Sequence, residues 1–137
     1  MNASLGRAAA ALLLTAGFGL AQAADMTVTL SGAQEVPPVA TDAKGTGKIT
    51  IGMDKAVGGR ITTTGIAGTA AHIHVGALGT NGPVLITLTK ASDNEWVVPP
   101  GSKLTDEQYT AYKADKLYVN VHSDAYKPGE IRAQLKP

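Results

Sequence analysis

Three histidines are the residues of this 137-residue chain best suited to chemistry, and the chain contains no others. His72 and His74 are separated by one residue, and His122 ends a second short segment of alternating character. Residues i and i+2 of a β-strand point to the same side, about 7 Å apart. If the two segments are neighbouring strands, three imidazole nitrogens can converge on one ion. The spacing therefore predicts a metal site.

The residues around the histidines indicate which side of each strand they occupy. Apolar residues alternate with the histidine pair, and the same alternation runs through residues 117–122. Because the aliphatic side of a half-buried strand faces the core, we expect all three imidazoles on the outer side. Tyr118 and Asn120 share the side of His122, where they could line the site or face solvent, and we favour the second.

The chemistry of imidazole narrows the choice of metal. Imidazole nitrogen binds copper, zinc and nickel, and the affinity order of divalent ions favours copper over zinc. The sequence leaves the oxidation state, Cu(I) or Cu(II), open. Three protein ligands leave a coordination position open, which is typical of catalytic or exchange sites. Candidate fourth ligands are Met26, Met53, Asp124 and the amino group that cleavage would free at Ala24. A second interpretation needs no metal, because a histidine pair can simply lie on a solvated strand face.

The first 23 residues have the pattern of an export signal. Arg7 precedes an apolar run at residues 8–20, and Ala-Gln-Ala at 21–23 is a cleavage signal. The apolar run is short for a membrane span. We therefore expect a signal peptide over residues 1–23 and one mature domain over 24–137, periplasmic or secreted, with no membrane span.

Composition argues against several classes of protein. Cleavage removes Arg7 and leaves eleven basic and eleven acidic residues, so no basic field favours nucleic acid or an anionic membrane surface. The absence of cysteine means that packing rather than disulfides stabilises the domain, and it excludes a thiolate nucleophile. The segment at 76–82 contains glycines but lacks the lysine and helix start that a phosphate-binding loop requires.

The rest of the sequence predicts the elements that must position the histidines. Short alternating strands are separated by turns rich in glycine, proline and asparagine, and we place them at residues 26–31, 47–53, 60–65, 70–76, 84–90, 95–98, 117–122 and 130–135. One helix is predicted at 106–114, because Thr105 and Gln108 form a capping box. These features predict an all-β, antiparallel sandwich or barrel with one short helix in a connection.

Five segments carry a family resemblance: LSGAQEVPP at 30–38, AHIHVG at 71–76, NGPV at 81–84, YVNVHS at 118–123 and PGEIRAQL at 128–135. Together they resemble the CHRD domain, the module named for chordin and also found in small exported bacterial proteins. The resemblance covers nearly the whole mature chain. It implies, as an alternative to metal binding, a non-catalytic module that interacts with another protein.

A more distant resemblance bears on mechanism. GIAG at 65–68 with the histidine pair, and VNVH at 119–122, are similar to the copper-binding segments of copper/zinc superoxide dismutases. This implies a Greek-key β-sandwich or barrel with His72, His74 and His122 around copper. It also places Arg132 beside the metal, whereas its own strand offers Glu130 as an ion-pair partner.

The departures from the dismutases are equally informative. The chain has no fourth histidine to bridge two metals, and it lacks their zinc-loop histidines and their disulfide. We therefore expect copper handling, storage or delivery, with the copper ion and another exported copper protein as partners. A dismutase-like enzyme remains the third hypothesis.

Overall fold

The computed structural model describes residues 24–137, so the predicted signal peptide lies outside the described residues. Antiparallel strands dominate this part of the chain: β1 (Ala24–Ser31), β2 (Lys44–Ile51), β3 (Val57–Thr64), β4 (Gly68–Val75), β5 (Val84–Thr87), β6 (Thr89–Ser92), β7 (Glu95–Val97), β8 (Leu117–Ser123) and β9 (Ile131–Leu135). A short 3-10 helix (Gly32–Gln34) follows β1, and one α-helix, α1 (Asp106–Lys113), precedes β8.

The strands form a nearly closed barrel. Their spatial order is β5-β4-β8-β9-β1-β2-β3-β7-β6, and β5 and β6 are consecutive in the chain. This segment pairs with β4 along its first half and with β7 along its second, so it brings the two ends of the sheet together. The predicted single strand at 84–90 is therefore two strands, separated at the buried Leu88, whose amide donates to the Ala71 carbonyl at 2.9 Å.

The strand order is a Greek key. β4, the β5/β6 segment and β7 are neighbours in sequence and in space. The next strand, β8, returns through the long connection that contains α1 and pairs with β4 instead of β7. Three adjacent strands with a fourth that returns beside the first define this motif. The predicted all-β Greek-key barrel with one short helix is confirmed.

The helix begins as the sequence predicts. The Thr105 hydroxyl accepts from the Gln108 amide at 3.2 Å, and the Gln108 side chain accepts from the Thr105 amide at 2.9 Å. These two bonds satisfy amides that the first helical turn leaves free. Tyr112 is buried in the core cluster, so the helix packs against the barrel. It ends at Lys113, one residue before the predicted end, with Ala114 as the C-cap.

The barrel interior is aliphatic, as the alternation predicts. The apolar sides of the strands meet in one cluster, which includes Leu30, Ile49, Ile61, Ile73, Leu117, Val119, Val121, Ile131, Leu135 and the single Trp96. Burying each such side chain contributes about 1.5–3 kcal/mol relative to exposure. Within residues 24–137 no helix is long and apolar enough to span a membrane.

One outer face of the barrel is buried rather than solvated. We call it the covered face, and it comprises His74, Tyr118, Asn120 and Arg132, all of them on β4, β8 and β9 and all of them buried. The expectation that Tyr118 and Asn120 face solvent is therefore wrong. Strand alternation determines which side a residue takes, but it does not show whether a distant loop lies over that side.

Candidate metal centre

The three histidines converge on the covered face because β4 and β8 are antiparallel neighbours. In their register Ala70 lies opposite His122, and His72 lies opposite Asn120. The ring centroid of His72 lies 4.8 Å from the ring centroid of His122 and 5.5 Å from that of His74. One nitrogen from each ring lies within 4.8 Å of the other two. Within residues 24–137, no other group of three or more histidines or acidic residues is close enough to hold a metal ion.

His122 is oriented by a backbone carbonyl. Its Nδ1 lies 2.7 Å from the carbonyl oxygen of Lys127. A carbonyl can only accept, so Nδ1 carries the proton and Nε2 carries the lone pair of the neutral ring. That Nε2 lies 2.9 Å from Nδ1 of His72, which therefore donates to it in the metal-free site. The lone pair of His122 is thus directed at His72.

His74 is the most firmly held of the three rings. It is only 7% exposed, and it stacks on Tyr118 with centroids 4.7 Å apart and planes at 3°. Its Nδ1 donates to the carbonyl of Gly82 at 3.0 Å, and its Nε2 lies 2.9 Å from Oδ1 of Asn120. The orientation matches that of His122, because in both rings Nδ1–H faces a backbone carbonyl and Nε2 remains to bind.

Burial favours the neutral form of His72 and His74. The pKa of His72 is lowered mainly by burial and further by the nearby His122 and His74. The pKa of His74 is also lowered mainly by burial, although its hydrogen bonds to Gly82 and Asn120 oppose the shift. A metal ligand must be deprotonated. Both rings are therefore in the form that binds a metal at neutral pH.

Arg132 contacts the residues that hold His74. It is 0% exposed, and its guanidinium carbon lies 3.5 Å from the centroid of the Tyr118 ring. The same tyrosine ring also stacks on His74. Its guanidinium donates to the carbonyls of Thr80 at 2.7 Å and Ala77 at 3.2 Å. These bonds fasten the loop at residues 76–83, whose Gly82 carbonyl holds His74.

The expected ion pair between Arg132 and Glu130 does not form. Glu130 accepts instead from the hydroxyls of Thr41 at 2.8 Å and Ser123 at 2.7 Å. The two residues lie two positions apart, but Glu130 precedes the first residue of β9, Ile131. Its side chain is held by residues outside that strand, and Arg132 is left to serve the loop at 76–83.

Glu35 is a buried acid that the sequence analysis did not identify. It is 4% exposed, and its Oε1 is buried without a hydrogen-bond partner. Burial raises its pKa to about 7, although the side chain of Asn120 and the charge of Arg132 oppose the rise. The neighbouring Pro37 and Pro38 indicate a loop, but nothing in the local sequence shows that this loop folds inward.

Gly129 allows Glu35 and Asn120 to approach each other. A Cβ at Gly129 would lie 2.5 Å from Oε1 of Glu35 and 2.6 Å from Nδ2 of Asn120. Its φ of +130° is also a conformation that side chains rarely adopt. The carboxyl, the amide and His74 therefore form one buried series behind the metal-binding nitrogens.

The histidine set is suited to an ion. Ligand nitrogens about 2.0 Å from a tetrahedral metal lie about 3.3 Å from one another. The observed spacings bracket that value, at 2.9 Å between His72 and His122 and at most 4.8 Å overall. Backbone carbonyls that accept from the second ring nitrogen are the usual support for such ligands. Small ring movements, together with transfer of the His72 proton from Nδ1 to Nε2, would close the set around copper or zinc.

The candidate fourth ligands lie away from the histidines. Met26 packs in the core, and Met53 is exposed in the turn after β2. Ala24 pairs with Ile51 at the end of β2 that leads into that turn. Asp124 is exposed and is not part of the histidine cluster.

Comparison with known proteins agrees with the motifs. No curated protein and no solved structure is significantly similar to the chain. The family model of the CHRD domain, in contrast, matches residues 26–135, which includes all three histidines, Glu35 and Arg132. The chain therefore belongs to the CHRD domain family.

Proposed function

We propose that this protein is an exported copper-binding protein that uses His72, His74 and His122 as its ligands. One observation carries the proposal: His74 and His122 each donate Nδ1–H to a backbone carbonyl, which leaves the lone pair on Nε2 in both rings, and one nitrogen from each of the three histidines lies within 4.8 Å of the other two. Carbonyl support of this kind fixes the tautomer and the ring orientation that a metal requires. Its role is copper handling, storage or delivery.

Copper is favoured over zinc by the ligand set. Three neutral imidazoles supply nitrogen alone, and the affinity order for such ligands places copper above zinc. Neither Met26, in the core, nor Met53, on a separate turn, supports a thioether ligand. Zinc is the alternative ion, and titration with both copper oxidation states identifies the bound form.

Two features disfavour catalytic dismutation. The chain lacks a fourth histidine for a bridged second metal. Arg132 is fully buried, and its guanidinium is bonded to the carbonyls of the loop at 76–83. It is therefore unavailable to attract an anion to the open coordination position. Binding and exchange of the ion fit these residues better than turnover.

Export is supported by two independent features. Residues 1–23 have the pattern of a cleavable leader, and CHRD domains occur in extracellular or secreted proteins. A periplasmic or secreted copper protein would exchange its ion with another exported copper protein.

Calorimetric titration of the metal-free protein with Cu(II), Cu(I) under reductant, and Zn(II) tests the proposal. We expect one tight copper site per chain that is lost in the His72→Ala/His74→Ala double variant. Thr87→Ala is the matched control, because Thr87 lies opposite His72 on β5 and is exposed. Circular dichroism establishes that each variant is folded. A wild type that is folded and binds none of the three ions would overturn the proposal.

A protein-interaction module is the second candidate, and the loops beside the histidines favour it. Pro37, Tyr126 and Pro128 line a cavity of about 250 Å³, and Leu78 is exposed on the neighbouring loop. Asn81 joins two of these loops by donating to the carbonyl of Val36 at 2.7 Å. For such a module the histidine double variant would bind the partner as the wild type does, and added copper would change nothing.

A further inference from the structure

Two contacts in the metal-free site oppose metal binding: the His72–His122 hydrogen bond described above, and a contact between His74 and Asn120. Nε2 of His74, the nitrogen left to bind, already lies 2.9 Å from the side-chain amide of Asn120. Asn120 is only 2% exposed, so water cannot replace it freely. An ion that reaches His74 must therefore displace this amide.

The donors and acceptors define what the amide does. Nδ1 of His74 donates to the Gly82 carbonyl, so Nε2 of the neutral ring carries a lone pair. As placed, the amide presents Oδ1 to Nε2 of His74, which sets two acceptors against each other, and Nδ2 lies on the side of Glu35. A half-turn of the amide exchanges its oxygen and nitrogen and removes this conflict. With the nitrogen toward His74, Asn120 donates to the lone pair that a metal would use.

A second acceptor for the amide lies on its other side. Oε1 of Glu35 is buried without a hydrogen-bond partner. Oε1 of Glu35 lies 2.5 Å from the position that a Cβ of Gly129 would occupy, and Nδ2 of Asn120, as placed, lies 2.6 Å from the same position. A buried acceptor without a donor is costly. An amide that left His74 could therefore donate to Glu35.

We propose that Asn120 is a positioning residue of the metal site, which caps Nε2 of His74 in the metal-free protein and moves to donate to Glu35 when the metal binds. The proposal rests on the metal-binding function proposed above. Asn120 thus lowers the affinity for the ion and keeps His74 oriented while no ion is present. Glu35 compensates by stabilising the amide in its displaced position.

Two variants distinguish this role from a structural one, because their effects have opposite signs. Asn120→Ala removes the cap, and we expect it to bind Cu(II) about fivefold more tightly and to associate faster, as expected for the loss of one competing hydrogen bond. Glu35→Gln weakens the acceptor for the displaced amide, and we expect about fivefold weaker binding. A residue that merely supports the fold would weaken binding when either side chain is changed.

The double variant separates hydrogen bonding from the general effect of charge. A negative charge near a cation favours binding by itself, and that effect would persist without Asn120. In the Asn120→Ala background we expect Glu35→Gln to change the affinity less than twofold, which is a double-mutant cycle with strong coupling. Equal effects of Glu35→Gln in both backgrounds would overturn the proposal.

Stopped-flow and equilibrium titration of the purified protein with Cu(II) provide the measurements. Absence of binding by the wild type would overturn the proposed function and the capping role with it. Binding by the wild type with unchanged rate and affinity in Asn120→Ala would overturn the capping role alone. If Asn120→Ala does not fold, Glu35→Gln carries the test, and unchanged Cu(II) affinity in this isosteric variant would overturn the proposal.

Discussion

Two outer faces of one barrel carry polar residues in the same alternating pattern, yet their environments differ. On the covered face, His74, Tyr118, Asn120 and Arg132 are buried. On β1, β2 and β3 the equivalent residues are exposed, and we call this the open face: Thr27, Thr46, Lys48, Arg60 and Thr62. Buried polar groups are costly unless they are hydrogen-bonded. The side chains of the covered face must therefore be held by hydrogen bonds within the protein, whereas water can solvate the side chains of the open face.

The largest contrast is expected between the arginines of the two faces. Arg132→Met keeps an aliphatic side chain but removes the donors to Thr80 and Ala77 and the stacking on Tyr118. We expect a loss of about 3–5 kcal/mol in the free energy of unfolding. The measurement is urea denaturation, followed by the fluorescence of Trp96, which is buried in the core.

Arg60→Met is the matched control on the open face. The Arg60 side chain is 61% exposed and pairs with Glu95 near the surface. Exposed ion pairs contribute about 0–1 kcal/mol, so we expect a change below about 1 kcal/mol. Equal losses in the two variants would show that coverage by the loop at 76–83 does not determine the contribution of an arginine.

Two glycines sharpen the comparison at the level of the backbone. Gly129→Ala would place a methyl group 2.5 Å from Oε1 of Glu35 at a φ of +130°. We expect a loss of about 3 kcal/mol from strain and crowding together. Gly58→Ala on β3 adds a methyl group with no atom within 4 Å and an ordinary φ. There we expect no loss or a gain of up to about 1 kcal/mol, and thermal unfolding measures both.

Glu35, beside the covered face, makes the stability of the fold depend on pH. Burial raises its pKa from 4.5 to about 7, so the fold prefers the protonated carboxyl. Below pH 4.5 both states are protonated and no cost arises. As pH rises, the unfolded chain ionises first, so the stability falls between about pH 4.5 and 7 and then remains level. Glu35→Gln removes this slope, and we expect it to be more stable than the wild type by on the order of 2 kcal/mol at pH 8.

Urea denaturation of the wild type and Glu35→Gln at several pH values between 4 and 8 measures this difference. Glu107→Gln is the control, because Glu107 is exposed in the first turn of α1. The buried histidines impose their own slope, since their lowered pKa values destabilise the fold below about pH 6.5. That slope is common to the wild type and Glu35→Gln, so it cancels in their difference. A constant difference across the whole range would contradict the assignment to Glu35.

The sequence predicts those parts of the molecule that depend on local periodicity. Alternation places His72, His74 and His122 on one side of two strands, and the capping box at Thr105 marks the start of α1. The convergence of the histidines depends in addition on β4 and β8 being neighbours, which the dismutase resemblance implies and the observed strand pairing confirms.

Coverage of a strand by a distant loop cannot be predicted in the same way. Arg132, Asn120 and Glu35 are ordinary surface residue types on local criteria, and burial of each depends on segments far away in the chain. Arg132 bonds to Thr80, 52 residues away. A network of hydrogen bonds compensates the cost of burying these groups. The sequence around any one of its residues does not indicate that the network forms.

The smallest expected effect isolates one hydrogen bond beneath the metal site. Tyr118→Phe preserves the ring that stacks on His74 but removes the hydroxyl that accepts from the Gly82 amide at 3.0 Å. We expect a loss of about 1 kcal/mol, whereas Tyr126→Phe, at an exposed position, should change nothing measurable. Because the Gly82 carbonyl orients His74, Tyr118→Phe should also weaken Cu(II) binding severalfold in calorimetric titration. Full affinity with reduced stability would show that the stacked ring alone positions His74.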